Sequence, residues 1–85
     1  MFDTFADIVK QARLDRGWNQ TMVAVGLDCS VPYVSDVERG KRTPALHKAP
    51  LWAKSLGIDM KELVRAILQE RLDDAGLDYV VKIKE

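Results

Sequence analysis

Four glycines divide most of the chain into short segments, and the segments carry apolar residues at the spacing of a helical face. In the first segment, Phe5, Ile8 and Val9 fall at positions i, i+3 and i+4, and Thr4 with Asp7 forms a capping signature at the start. Glycine ends helices readily because it adopts the left-handed conformation without a Cβ clash. Helices are therefore expected to end near these glycines, which are Gly17, Gly40, Gly57 and Gly76.

Capping residues mark where the other helices begin. Asn19 and Ser30 can cap a second and a third helix, and Asp59 opens the fifth and longest one. Pro50 interrupts the fourth segment, so its regular helix should begin near Pro50 with a separate turn before it. The sequence predicts an all-α domain of five helices over residues 1–76.

The C-terminal residues have a different periodicity. Tyr79, Val81 and Ile83 alternate with the residues between them, as in a strand. No other segment has this alternation, and a lone strand leaves its backbone donors and acceptors unpaired. We therefore expect residues 77–85 to form a C-terminal β-strand extension that pairs with its copy in a homodimer. A frayed terminus is the alternative.

Length and composition indicate one small globular domain. The chain has 85 residues, of which 47% are hydrophobic and 31% charged. A single cysteine, Cys29, and a single histidine, His47, allow neither an intrachain disulfide nor a Cys/His zinc site, so no metal or cofactor is expected. No apolar run is long enough to span a membrane, and Asp3 and Asp7 stand where a secretory signal would be basic and then apolar. A cytoplasmic protein without membrane contact is predicted.

The charges are balanced overall but unevenly distributed. Thirteen Lys and Arg residues face thirteen Asp and Glu residues, which argues mildly against a nucleic-acid partner. Residues 39–58, however, carry five basic side chains and no acidic one. A local positive potential there can attract an anion that the whole molecule would not.

Two short helices, ending near Leu27 and beginning near Ser30, are separated only by Asp28 and Cys29. This is helix-turn-helix spacing, in which the first helix supports the second so that its outer face can enter the major groove of DNA. The alternative is that helix 2 ends at Val25 and the turn begins early, at Gly26. Cys29 is interpreted as a small buried hydrophobic residue.

Further motifs follow one another at characteristic spacing. They are Gly17-Trp18-Asn19-Gln20, Ala24, Val37-Glu38-Arg39-Gly40-Lys41-Arg42-Thr43-Pro44 and Ala53-Lys54-Ser55-Leu56-Gly57-Ile58. Over about residues 5–64 the sequence resembles the Xre-type helix-turn-helix domains of phage repressors and Cro proteins. The resemblance implies a lambda-repressor-like fold in a prokaryotic or phage protein. It also implies that Arg13 and Glu38 form a structural ion pair between helix 1 and the end of helix 3. Asp28 departs from the family pattern, which usually has glycine there.

Base reading is assigned to the outer face of helix 3, because Val34 and Val37 turn to the core. The candidate base-reading residues are Val31, Pro32, Tyr33, Ser35 and Asp36. Val31 and Pro32 could pack on thymine methyl groups, and Asp36 could accept from a cytosine amino group. A simple solvated residue is the alternative interpretation of Asp36.

Phosphate binding is assigned to the first turn of helix 2 and to the basic loop after helix 3. A helix N-terminus offers free amides and a positive end, and the resemblance gives Gln20 a phosphate contact. The candidate phosphate-binding residues are Asn19, Gln20, Arg39, Lys41 and Arg42. The candidate dimerisation residues are Ile67, Leu68, Leu72, Tyr79, Val81 and Ile83.

These features predict a sequence-specific regulator of transcription that binds double-stranded DNA, a repressor acting as a homodimer on a palindromic operator. The alternative is an antitoxin-type module that neutralises a partner protein and autoregulates its operon, since the apolar stripe of helix 5 continues to Leu72. An enzyme is not expected, because the sequence has no phosphate-cradling glycine loop, metal-ligand pair or nucleophile elbow.

Overall fold

The computed structural model describes residues 4–84 and contains five α-helices within that range. The predicted all-α architecture is confirmed. A short 3₁₀ turn at Leu46–Lys48 precedes the fourth helix, as the position of Pro50 indicated. The helices are α1 (Phe5–Asp15), α2 (Gln20–Leu27), α3 (Val31–Glu38), α4 (Ala49–Leu56) and α5 (Met60–Asp74).

The predicted capping residues begin four of these helices. The side-chain oxygens of Thr4, Asn19 and Ser30 each accept a hydrogen bond from the backbone amide three residues later. Asp59 caps α5 by accepting from the amide of Lys61 at 2.9 Å. Each bond satisfies an amide that has no partner within its own helix, which is why these residue types fix the starts so well.

The turn between α2 and α3 is built on Asp28. This residue takes the left-handed conformation with φ 53° and ψ 48°, which aspartate tolerates better than most residues. Helix α2 runs on to Leu27, so the reading in which it ends at Val25 is wrong. The amide of Cys29 closes the turn by donating to the carbonyl of Ala24 at 3.0 Å.

A single apolar core lies between the five helices. Val34 and Val37 are both fully buried, and they anchor the inner face of α3 as the sequence predicted. Trp52 of α4 meets Phe5 of α1 edge to face, with ring centroids 5.5 Å apart. Burial of a valine side chain contributes roughly 1.5–3 kcal/mol. The core therefore holds α3 in one orientation.

The predicted C-terminal strand extension over residues 77–85 is wrong: residues 77–84 form no strand, and Glu85 lies outside the described residues. Instead, the segment is held by the side-chain amide of Gln69 in α5. Its Nε2 donates to the Tyr79 carbonyl at 2.7 Å, and its Oε1 accepts from the Val81 amide at 2.8 Å. One side chain thus satisfies one backbone donor and one backbone acceptor of the segment without a neighbouring strand.

None of the helices within residues 4–84 has both the length and the apolar character needed to cross a lipid bilayer.

Candidate nucleic-acid interface

The outer face of α3 carries the predicted base-reading residues. Helix α3 packs on both α1 and α2, so the side opposite Val34 and Val37 faces solvent. Val31 and Pro32 are exposed at its N-terminal end, while Ser35 and Asp36 are half-buried. The structure thus brings these side chains to one surface of α3.

Tyr33 lies at the edge of this surface. Its ring is half-buried and tilts against Trp52, with the centroids 6.5 Å apart. It borders a shallow concavity that is also lined by Ser30, Pro32, Asp36 and Arg42. The contact with Trp52 links this edge of the candidate surface to the core.

Asp36 joins α3 to the basic loop through a network that sequence reasoning did not find. Its Oδ1 accepts from Arg39 Nη2 at 2.7 Å, and its Oδ2 lies 3.6 Å from Arg42 Nε. The Arg42 guanidinium in turn lies over the ring of Tyr33, 6.0 Å from its centroid. The i, i+3 spacing of Asp36 and Arg39 was the available signal for the first contact. The second depends on how the loop folds back.

At the start of α2, the predicted phosphate-binding side chains are partly engaged within the protein. Asn19 Oδ1 accepts from the amide of Met22, and Gln20 Nε2 donates to Glu38 Oε1 at 3.3 Å. The backbone amides of Gln20 and Thr21 have no acceptor among residues 4–84. These two amides, at the positive end of α2, are therefore free to bind an anion.

Arg13 and Glu38 lie together as a bidentate ion pair between α1 and the end of α3. Arg13 Nε and Nη2 donate to the two carboxylate oxygens at 2.8 and 3.0 Å, and Nη1 donates to the Trp18 carbonyl at 2.8 Å. The two side chains are only 12% and 4% exposed. This pair sets the position of α3 and is shielded from a ligand.

The basic loop after α3 is tied down at both ends. Gly40 turns the chain in the left-handed conformation with φ +75°, and the Lys41 amide donates to the Asp36 carbonyl at 2.9 Å. Further along, the Thr43 hydroxyl donates to Glu70 Oε2 at 2.8 Å, and Glu70 Oε1 accepts from the Phe5 amide at 3.0 Å. Lys41 is exposed between these anchors. Nothing local in the sequence marked Glu70 for this role.

The candidate dimerisation residues are distributed between core and surface. Ile67 is fully buried within the chain, so it packs in the core and offers no surface for a second subunit. Leu68, Leu72 and Val81 are half-buried. Tyr79 is 67% exposed, and its neighbour Val80, which the strand pattern placed on the opposite face, is even more exposed.

Cys29 is half-buried beside the turn. Burial raises the pKa of its thiol above the ordinary value, and the nearby charge of Asp28 raises it further. A thiol shifted in this direction is less reactive. Within residues 4–84, no three His, Cys, Asp or Glu side chains are grouped so that they could hold a metal ion.

Residues 9–63 match the protein family described as Helix-turn-helix. The chain is 32% identical over 59 residues to the HTH-type transcriptional regulator DdrOP3 of Deinococcus deserti. That match covers 69% of this chain and 46% of the relative, so the chain spans about half the length of the curated relative it matches.

Two solved structures share the fold. The restriction-modification controller protein C.AhdI from Aeromonas hydrophila is 29% identical with a TM-score of 0.64, over 73% of this chain and 94% of that one. A hypothetical transcription factor, NHTF, from Neisseria is 31% identical with a TM-score of 0.66, over 84% of this chain and 80% of that one. The chain therefore belongs to the Xre-like helix-turn-helix family, a family of transcriptional regulators.

Proposed function

We propose that this protein binds double-stranded DNA at a specific sequence as a homodimer and regulates transcription as a repressor. The observation that carries the proposal is the placement of α3. Its inner face is fixed by the core and its outer face is turned to solvent. Two sites suited to phosphate adjoin its C-terminal end: the free amides of α2, where Gln20 bonds Glu38, and the exposed Lys41. A major groove flanked by two phosphate backbones fits this arrangement.

In the proposed complex, α3 lies in the major groove with its N-terminal end toward the bases. Val31 and Pro32 then reach thymine methyl groups, and the hydroxyl of Ser35 can bond either kind of base edge. The amides of Gln20 and Thr21 bind one phosphate, and Lys41 binds another. Each neutralised phosphate releases condensed counterions, which makes the affinity dependent on salt.

The homodimer is proposed from the apolar surface of the C-terminal segment. Leu77, Tyr79 and Val80 are exposed. The two hydrogen bonds of the Gln69 side chain hold this segment against α5. A contact between two such segments across a two-fold axis would bury apolar side chains without requiring strand pairing. Two copies of α3 would then read half-sites of a palindromic operator, spaced about one helical turn or ~34–36 Å apart.

Repression is the simplest regulatory outcome of this geometry. A protein bound at a promoter blocks it by occupancy alone. Activation would require a further surface for the transcription machinery.

Selection of bound fragments from a random duplex pool tests the specificity. We expect a palindromic sequence to be enriched, and the affinity for it should fall as salt rises. Lys41→Ala should lessen the slope of log affinity against log salt by roughly 0.9. Lys10→Ala, on the exposed side of α1, is the matched control and should leave the slope unchanged. A pool that stays random after repeated selection contradicts the proposal.

Sedimentation equilibrium tests the dimer separately. The wild-type chain should have twice the monomer mass, and Val80→Asp should shift it to the monomer mass. Lys82→Asp introduces the same carboxylate at an exposed position that is already charged, so this control variant should remain dimeric. A wild-type monomer would contradict the homodimer and would favour the protein-binding alternative.

A further inference from the structure

We infer that Arg42 is a guanine-reading residue, and that Asp36 and Tyr33 position its guanidinium on the reading surface. The inference rests on the proposed DNA binding and deepens it, because it names the base and the side chain that recognises it. Arg42 follows α3 by four residues, in the loop where a phosphate contact would otherwise be expected.

The outer face of α3 has few hydrogen-bond donors of its own. Val31 and Pro32 have apolar side chains, and Asp36 is an acceptor when ionised. Only the hydroxyls of Tyr33 and Ser35 remain as donors. Guanine presents two acceptors in the major groove, O6 and N7, and the side chain best suited to both at once is arginine.

Arg42 lies where such a donor is needed. Its Nε lies 3.6 Å from Asp36 Oδ2, and its guanidinium carbon lies 6.0 Å from the Tyr33 ring centroid. The side chain borders the same concavity as Ser30 and Pro32 and is 64% exposed. Because Nε faces Asp36, the two terminal amino groups are left to donate in parallel to a base edge.

The charge of Asp36 favours a base over a phosphate as the ligand of Arg42. A phosphate beside Arg42 would also face the Asp36 carboxylate, and such like-charge contacts are unfavourable. The acceptor edge of guanine carries no net charge, so it avoids this repulsion. Lys41 differs in this respect, since no carboxylate in the described part of the chain lies within ion-pair distance of its ammonium. Neighbouring cations in one loop are thus assigned different ligands.

The test compares Arg42→Ala with Lys41→Ala on the selected operator and on a random duplex. Arg42→Ala should weaken operator binding by roughly 10- to 100-fold, weaken random-duplex binding much less, and abolish the preference for one G·C pair. Lys41→Ala should weaken both duplexes alike and lower the salt slope by roughly 0.9. Both side chains are exposed, so thermal unfolding followed by circular dichroism should match the wild type.

Two further variants separate charge from geometry. Arg42→Lys keeps the positive charge without the fork of donors, and it should lose the guanine preference as the alanine variant does. Asp36→Asn should weaken the guanine preference while raising the affinity for random duplex.

The assignment is overturned if Arg42→Ala weakens all duplexes equally and lowers the salt slope by roughly 0.9, or if the operator tolerates replacement of each of its guanines. Duplex binding by the wild-type protein tests the proposed function independently of Arg42. If the wild type binds no duplex selectively, sequence-specific binding itself fails, and the role of Arg42 fails with it.

Discussion

The two faces of α3 each carry an arginine–carboxylate contact, and the two contacts differ in burial. On the inner side, Arg13 and Glu38 are 12% and 4% exposed and bond through two parallel hydrogen bonds. On the outer side, Arg39 and Asp36 are 56% and 30% exposed and share one short bond. The chemistry is the same, but only the inner pair is removed from water.

This difference in burial suits the inner pair to a structural role and the outer pair to contact with a ligand. A buried pair resists substitution because loss of one partner leaves a charge without compensation in the interior. An exposed pair contributes little to stability, since water and salt compete with it. The inner pair can therefore fix the angle of α3, while the outer network can exchange its partners for those of a ligand.

The largest expected effect comes from breaking the inner pair. Arg13→Ala should lower the free energy of unfolding by roughly 3–5 kcal/mol, because it strands the Glu38 carboxylate. Urea denaturation measures this loss. The double variant Arg13→Met with Glu38→Leu removes both charges and should recover most of it. If Arg13→Ala were as stable as the wild type, burial would not distinguish the contributions of the two pairs to stability.

Glu70 is an intermediate case, since it is half-buried and accepts two neutral donors. Glu70→Ala should cost roughly 1–2 kcal/mol of unfolding free energy, because the Phe5 amide loses its acceptor and the basic loop loses an anchor. Thr43→Val removes only the loop bond and should cost less. Equal losses in the two variants would mean that the Phe5 bond contributes nothing.

Removing the outer carboxylate should hardly affect folding. Asp36→Asn should change the free energy of unfolding by less than about 0.5 kcal/mol, since its partners are exposed. Urea denaturation at low and high salt measures this, and the difference between variant and wild type should shrink as salt rises. A loss of several kcal/mol would place this network among the structural contacts.

The smallest expected effect concerns Cys29. Because burial and the charge of Asp28 raise the pKa of its thiol in the folded state, its alkylation at pH 8 should be slower than in the unfolded chain. The stability that this shift contributes is complete below the ordinary thiol pKa and is lost as the pH rises through the raised pKa of the folded state. Asp28→Asn should speed alkylation. Equal rates in folded and unfolded protein would contradict the shift.

Most of the fold was predictable because its signals are local. Asn19 and Ser30 bond amides only three residues away, and the inward position of Val34 and Val37 follows from helical spacing. The C-terminal segment was not predictable in this way. The Tyr79 carbonyl and the Val81 amide bond Gln69, a partner in another element that no strand pattern indicates.

The candidate interface was predictable only in part for the same reason. The outer face of α3 follows from its inner face, so the sequence could place the candidate base-reading residues on that face. The position of Arg42 over Tyr33 depends on how the loop folds back, and the tie from Glu70 to Thr43 spans 27 residues. Ile67 was assigned to a dimer surface because a helical stripe does not show which neighbour covers each of its residues.

The brevity of α3 limits how much genetic information one chain can read. Its eight residues extend about 12 Å, which corresponds to roughly four base pairs of B-form DNA. Four fully discriminated positions distinguish about 256 sequences, far fewer than the ~10⁶ or more competing sites in a genome. In the proposed homodimer, a second copy of the helix would square that number to about 65,000, which narrows the gap without closing it, so further contacts such as those of the loop after α3 would have to contribute.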